Sequence, residues 1–277
     1  MNLDFLLSSP EKIAQAIAGF AFVSLLLIEF FLSTKKQLAL FERKDTQINL
    51  TLGLLTSFTK LLVKGITLAY FYWLGQWKIW TVPTNLWSVL LLALLNDLIF
   101  YWYHRISHQS RFFWAMHVAH HSSEILNTST AIRGNFLHFW YRFVFWSPLA
   151  LLGFEPLMIV LIDEIGFYYQ MYIHTKILKK FPYWIEFIFN TPSHHRVHHA
   201  SNAEYIDKNY GAVLIIWDRI FGTFEPEVAE PRYGITKHQP KKNNLFNIIT
   251  HEFVYIWQDL KKSKNLKDVW QAIFGKP

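Results

Sequence analysis

LWSVLLLALLNDLIFYWYHRISHQSRFFWAMHVAHH, from Leu86 to His121, decides how the chain is read. Its first part, Leu86 to Tyr103, is apolar and close to the roughly 20 residues an α-helix needs to span a bilayer. Its second part carries His104, His108, His117, His120 and His121. An apolar span that runs straight into five histidines puts them at a membrane face. A second cluster, Ser193-His194-His195-Arg196-Val197-His198-His199, repeats the H-x-x-H-H pattern, and His174 lies between the two. Of 13 histidines, ten fall in these places, which a scatter of surface histidines would not do.

The spacing has a chemical reading. Residues three or four apart share a helix face. His104 with His108 is therefore expected to point one way, as are the trio His117, His120 and His121 and the trio His195, His198 and His199. Imidazole is a neutral ligand suited to iron, zinc, copper and nickel. One ion takes about four to six ligands, so eight or nine convergent histidines suit two ions. A lone H-x-x-x-H pair is as readily an ordinary polar or capping pair. Two H-x-x-H-H boxes beside an H-x-x-x-H predict a metal centre.

Working outward, the whole chain is apolar: 277 residues, 52% hydrophobic, 18% aromatic and 17% charged. Soluble domains carry about a quarter charged residues. The apolar residues come in long blocks, which predicts an all-α, polytopic membrane protein with about four spans and a histidine-rich helical cap. Net charge is +7, with Lys and Arg in loops beside apolar segments and in the C-terminal part. That pattern fits anionic lipid headgroups and excludes a nucleic-acid partner, which would need the charge on a soluble face. No cysteine is present, so thiolate sites and disulfides are excluded. The first apolar stretch lacks the basic flank and small-residue cleavage site of a signal peptide.

In order, Ile13 to Leu32 is the first expected span, with Glu29 as its exception. The basic loop Lys35, Lys36, Arg43 and Lys44 marks the cytoplasmic side. Ile48 to Trp80 is apolar but interrupted by Lys60 and Lys64, so a span around Leu61–Leu74 is expected, its first half lying along the interface or continuing as one tilted helix. Parity then puts His104 on the cytoplasmic side, in a plasma membrane for a bacterium or the endoplasmic reticulum for a eukaryote. Phe136 to Ile173, broken by Pro148, Gly153 and Pro156, predicts a helical hairpin that brings His174 back to the same face. Asp163 and Glu164 need partners there, and His138 in its aromatic stretch reads as a packing or substrate-pocket residue. Thr191 or Ser193 is expected to cap a His194–His199 helix. Leu214–Phe224 is too short to span, and Asn243–Phe274 predicts a basic interfacial helix. Three units follow: N-terminal membrane helices at 1–80, a metal domain at 81–228 and a basic tail at 229–277.

Asp97 lies seven residues before His104, on nearly the same helical stripe. It reads equally as a partner for a ligand imidazole or as a water-contacting carboxylate near a helix end. Gln170, four residues before His174, faces the same way. Zinc could serve hydrolysis at such a site, but two ions with almost no candidate nucleophile favour redox chemistry: two irons that use O2 against an unactivated C–H bond.

His104-x3-His108, His117-x2-His120-His121 and His195-x2-His198-His199 resemble the three boxes of the fatty acid hydroxylase/sterol desaturase superfamily. Further strings are similar to its alkylglycerol monooxygenase branch: His120-His121-Ser122-Ser123-Glu124, Asn127 to Arg133, Ile173-His174-Thr175, Asn190 to His199, Asp207-Lys208-Asn209-Tyr210 and Trp217 to Phe224. The resemblance covers roughly residues 40 to 228. It implies a di-iron monooxygenase that hydroxylates a lipid carbon next to an ether oxygen, with tetrahydrobiopterin as reductant or otherwise a ferredoxin- or cytochrome-type electron-transfer partner. Carried over, the ligands are His104, His108, His117, His120, His121, His195, His198 and His199, with His174 a ninth. His194 is implied as a further ligand or a supporting group, and Glu124, Asn127, Arg133 and Asp207 as family positions. Gln109 stands where that branch carries an acidic residue. A desaturase of the same superfamily and a membrane metal transporter are the competing expectations. The transporter would need ionisable residues through the bilayer midplane of several helices.

Overall fold

Away from water a helix is the element that satisfies its own backbone hydrogen bonds, so the apolar blocks become helices. The computed structural model describes residues 10–277, with side chains from residue 16. The first nine residues of the expected 1–80 unit lie outside the described residues. The long helices are α1 (Pro10–Lys35), α2 (Arg43–Leu74), α3 (Leu86–Gln109) and α4 (Arg111–His121). Two short turns, α5 (Phe139–Arg142) and α6 (Ser147–Leu151), precede α7 (Pro156–Ile173). Then come α8 (Tyr183–Ile188), α9 (Pro192–His198), α10 (Ile216–Ile220), α11 (Leu245–Lys262) and α12 (Leu266–Phe274). The only pairing of strand type among the described residues is one antiparallel bridge between Phe189 and Leu214, so the all-α expectation holds.

Among the described residues, three helices are long and apolar enough to cross a membrane: Ala16–Lys35, Arg43–Trp77 and Leu86–Gln109. Their outer faces keep large apolar side chains exposed, among them Phe20, Leu27, Leu54, Leu61 and Leu86. Water would not tolerate apolar patches of that extent and lipid does. Trp73, Trp77, Trp80 and Trp87 cluster around the α2–α3 turn, all exposed, as an interfacial belt does. The chain is an integral membrane protein. Of the two readings of the second apolar region, the single long helix is the one found: α2 is continuous over 32 residues. Its interruption is resolved by pairing, since Lys60 Nζ lies 3.0 Å from Glu164 of α7.

The expected hairpin at Phe136–Ile173 has one continuous arm only. Its first arm is broken into 3-10 turns, α5 and α6, and α7 returns as the second. Both acidic residues of α7 find partners, Glu164 with Lys60 and Asp163 with Arg142 at 2.9 Å. Gly153 makes the turn possible: φ is +95°, and a Cβ there would sit 1.9 Å from the Trp80 carbonyl oxygen. At the other end, Ser110 closes α3 and opens α4 in extended conformation, so the chain folds back within one residue. The expected tail helix is two helices, with Asn265 capping the second. Both lie against α4, where Arg111 binds Glu252 at 2.9 Å and Asp259 at 2.7 Å.

Candidate metal centre

Helix α3 supplies His104 and His108, and α4 supplies His117, His120 and His121. The end of α7 supplies His174, and α9 with its C-cap supplies His195, His198 and His199. The ring nitrogens gather into two groups: His104, His108, His117, His121 and His198 in one, His120, His174, His195 and His199 in the other. Within each group the candidate ligand atoms all lie within 4.8 Å of one another. The expectation that each H-x-x-H-H trio points one way is corrected here. Neighbouring residues are about 100° apart around a helix of 3.6 residues per turn. Each doublet therefore divides: His121 goes to the first group and His120 to the second, His198 to the first and His199 to the second.

Hydrogen bonds fix which ring nitrogens are bare. A carbonyl oxygen only accepts, so a ring nitrogen bonded to one carries the proton. His104 Nδ1 donates to Tyr210 O (2.8 Å), His120 Nδ1 to Arg133 O (3.2 Å), His174 Nδ1 to Gln170 O (2.7 Å) and His198 Nδ1 to Lys208 O (3.0 Å). Each Nε2 in a neutral ring is then a lone pair. His174 Nε2 and His120 Nε2 nevertheless face each other at 3.1 Å. Two lone pairs repel at that distance, and a cation between them removes the conflict. Protonation is the costly alternative, because burial holds these imidazoles neutral: His174 is brought down to about 4, His198 to about 3, and His120 and His195 well below the usual range. The buried Nε2 atoms of His108 and His198 have no hydrogen-bond partner at all, a cost of about 1–3 kcal/mol each that metal ligation relieves. Converging neutral imidazole nitrogens are the donor set that iron accepts.

The supporting carbonyls come from a second layer. Asp218, buried in α10, accepts from Tyr210 N, Gly211 N and the Thr223 hydroxyl, each at 2.7 Å, and so sets the loop whose carbonyl holds His104. Gly211 is required there, since a Cβ would lie 2.5 Å from Leu214 O and 3.1 Å from Asp218 Oδ2. Burial pushes the Asp218 carboxyl up. Glu186 accepts from Thr191 Oγ1 at 2.8 Å and from Phe181 N at 2.9 Å. Sequence reasoning misses Asp218 and Glu186, because a single carboxylate in a loop carries no periodic signal. The backbone carbonyls carry none either.

Two cavities flank the rings. One, of about 370 Å³, reaches His104, His117, His120, His174 and His195 and is otherwise walled by groups from α2, α3 and α7, including Leu61, Phe100 and Met171. The other, of about 290 Å³, reaches His108, His121, His198 and His199 from behind and is walled by Asp207, Lys237 and Lys276 among others.

Residues 89–223, which hold all nine of these histidines, match the family model described as fatty acid hydroxylase. That stretch is similar to a fatty acid hydroxylase domain. It is 35% identical to an alkylglycerol monooxygenase of Danio rerio over 271 residues, covering 97% of this chain and 60% of that one. It is 35% identical to the Homo sapiens alkylglycerol monooxygenase over 92% of this chain and 58% of the relative. An ornithine lipid hydroxylase of Rhizobium tropici is 29% identical over 60% of this chain and 49% of the relative. The chain thus spans about 60% of the length of the alkylglycerol monooxygenases it matches. No solved structure matches it.

Around the histidine centre, the predicted supporting residues separate. Arg133 is buried and donates to Ala119 O (2.8 Å), Asn49 Oδ1 (2.8 Å), Asp45 Oδ1 (3.2 Å) and Ser122 Oγ (3.0 Å), while its own carbonyl holds His120. Gln170 acts through its carbonyl on His174. Asn127 caps the turn Thr128–Ile132 and ties it to Leu40 O at 2.7 Å. Asp97 touches no imidazole. It accepts from Val213 N (2.8 Å), Leu214 N (3.1 Å) and Trp217 Nε1 (3.0 Å), anchoring the chain between the Tyr210 loop and α10. His194 joins neither group. Its Nδ1 accepts from Thr191 N at 3.4 Å and its Nε2 donates to Glu186 at 3.0 Å, so no lone pair is left for a metal. Gln109 and Glu124 are exposed, Glu124 paired with Lys242 at 3.1 Å. Asp207 borders the rear cavity and pairs with Lys276 at 2.9 Å.

Proposed function

We propose that this chain is a membrane di-iron oxygenase that hydroxylates a lipid C–H bond with O2, the target being the carbon next to the ether oxygen of an alkylglycerol. The observation that carries the proposal is the pair of facing lone pairs, His120 Nε2 and His174 Nε2, inside two gathered imidazole sets. One iron would be held by His104, His108, His117, His121 and His198, the other by His120, His174, His195 and His199. Bound iron would supply the activation of O2 that no protein side chain provides. The chain's own part is to keep nine imidazoles neutral, to orient four of them through carbonyls, and to admit the lipid on one side of the centre. One oxygen atom enters the C–H bond, and the other leaves as water with two electrons and two protons from the reductant. A carbon bearing both hydroxyl and ether oxygen is a hemiacetal, which falls apart to an aldehyde and an alcohol.

The similarity to alkylglycerol monooxygenases supports the substrate class and tetrahydrobiopterin as reductant. A ferredoxin- or cytochrome-type partner would replace the pterin if it fails. The substrate comes from the bilayer and no nucleic acid is involved. The basic loop after α1 supports a cytoplasmic histidine face, in the plasma membrane or the endoplasmic reticulum. We assign 1–80 to anchoring helices, 81–228 to the di-iron unit and 229–277 to a basic interfacial part.

The test is iron content together with turnover of purified, detergent-solubilised protein given an alkylglycerol, O2 and a tetrahydropterin. About two irons per chain with aldehyde formed supports the proposal. Loss of two hydrogens without gain of oxygen makes the chain a desaturase. Failure to take up iron sinks the di-iron assignment.

A further inference from the structure

We infer that His138 is a specificity-determining residue, whose ring accepts a hydrogen bond from a free hydroxyl on the head of the lipid. His138 stands in the aromatic stretch Phe136 to Tyr141 and lines the cavity of about 370 Å³ that also reaches His104, His117 and His120. Its Nδ1 lies 2.6 Å from Asn135 O, so Nδ1 carries the proton and Nε2 is a lone pair. Asn135 is held in place from two directions, its Nδ2 reaching Ala115 O and Ile249 O at 3.4 Å each. No group among the described residues hydrogen-bonds His138 Nε2. His138 is half-buried and lines the cavity, so its bare Nε2 is open to a donor that enters there.

The donor's chemistry follows from the same cavity. Lys60 and Arg142 in its wall each face a carboxylate of α7, so these pairs leave little net charge for a charged headgroup to meet. The Lys60–Glu164 pair offers a further donor and acceptor at its edge. A neutral hydroxyl fits. Because one cavity joins His138 to the histidine groups, a single lipid can reach both.

The inference deepens the lipid-hydroxylase proposal and rests on it for the choice of probe, but binding is measured without turnover. The full chain in lipid nanodiscs, kept free of O2, is titrated with 1-O-hexadecylglycerol and with the same lipid methylated on both free hydroxyls. We expect the free diol to bind about tenfold tighter or more, His138→Leu to erase that preference, and His138→Gln, whose amide oxygen also accepts, to keep part of it. Equal binding of the two lipids by the wild-type protein overturns the inference, as does an undiminished preference in His138→Leu. If His138→Leu does not fold, the wild-type pair of titrations and His138→Gln still decide. A preference without iron-dependent product would sink the hydroxylase proposal alone; product without preference would sink this inference alone.

Discussion

The histidine rings have a cavity on each side, and the two differ. The membrane-side cavity, about 370 Å³, is walled by Leu61, Phe100, Met116 and Met171. The rear cavity, about 290 Å³, has Asp207, Lys237 and Lys276 in its wall. His120 borders the first and His121 the second. The rings therefore form a partition between a cavity that reaches in among the membrane helices and one bordered by the C-terminal part of the chain, and the pairs His120–His121 and His198–His199 are each divided between the two nitrogen groups. That contrast explains why the motif needs doublets. Two centres only a few ångströms apart can be served by one short helix if neighbouring residues point about 100° apart.

The severest challenge to the two-sided partition is to remove one ring from each side. His117→Ala and His198→Ala should both lose iron and turnover by more than the roughly 100-fold that loss of a mere orienting partner costs. Metal analysis and product formation check this, and a normal iron content in either variant would show that the rings are not one partition. Next comes the support of the membrane side. Arg133→Met leaves Asp45 buried without its cation at 3.2 Å and loosens the carbonyl that holds His120. We expect about 3–5 kcal/mol of lost stability and iron affinity reduced about 10–100-fold, read by denaturant titration and by metal competition.

The third prediction sets metal-free against iron-loaded protein across pH. Burial lowers His174 from 6.5 to about 4 in the folded chain. The unfolded chain then binds more protons over that window, so stability rises with pH there. It is present in full above 6.5 and lost as pH falls towards 4, by at most about 1.4 kcal/mol per pH unit for this one group. Thermal midpoints of the metal-free protein should fall accordingly, and iron should blunt the fall. A flat profile would mean that this imidazole is not held neutral. The smallest effect belongs to a residue that borders neither cavity. Asp97→Asn costs the Leu214 N–H and the Trp217 indole their acceptor, about 1–3 kcal/mol, with iron retained. Loss of iron instead would give Asp97 a direct part in the centre.

Much of the site is legible in the residues themselves. All nine clustered histidines can be picked out, because helical spacing and residue type together leave few alternatives. His194 is ambiguous in the sequence for a plain reason: its neighbours make it look like a ligand, and only Glu186 and Thr191 N, which occupy its two nitrogens, exclude it. Asp97 shares a helical stripe with His104, yet its carboxylate turns to the 213–217 segment. Its contacts lie more than 110 residues away in the chain, so no local pattern reports them. The helical, membrane-embedded fold follows from the apolar blocks. Its details escape where charged residues interrupt those blocks: Lys60 has the look of a helix boundary, and only Glu164 opposite it shows otherwise.

The sequence alone dictates the helices, their membrane setting and the identity of the imidazole set, since hydrophobic length and 3.6-residue periodicity are local properties. Packing alone settles how the nine rings divide into two groups, which backbone carbonyls fix their tautomers, and which compartment each ring borders. Those depend on contacts between segments far apart in the chain, such as His104 with Tyr210 and His120 with His174, and geometry of that kind exists only once the helices have packed.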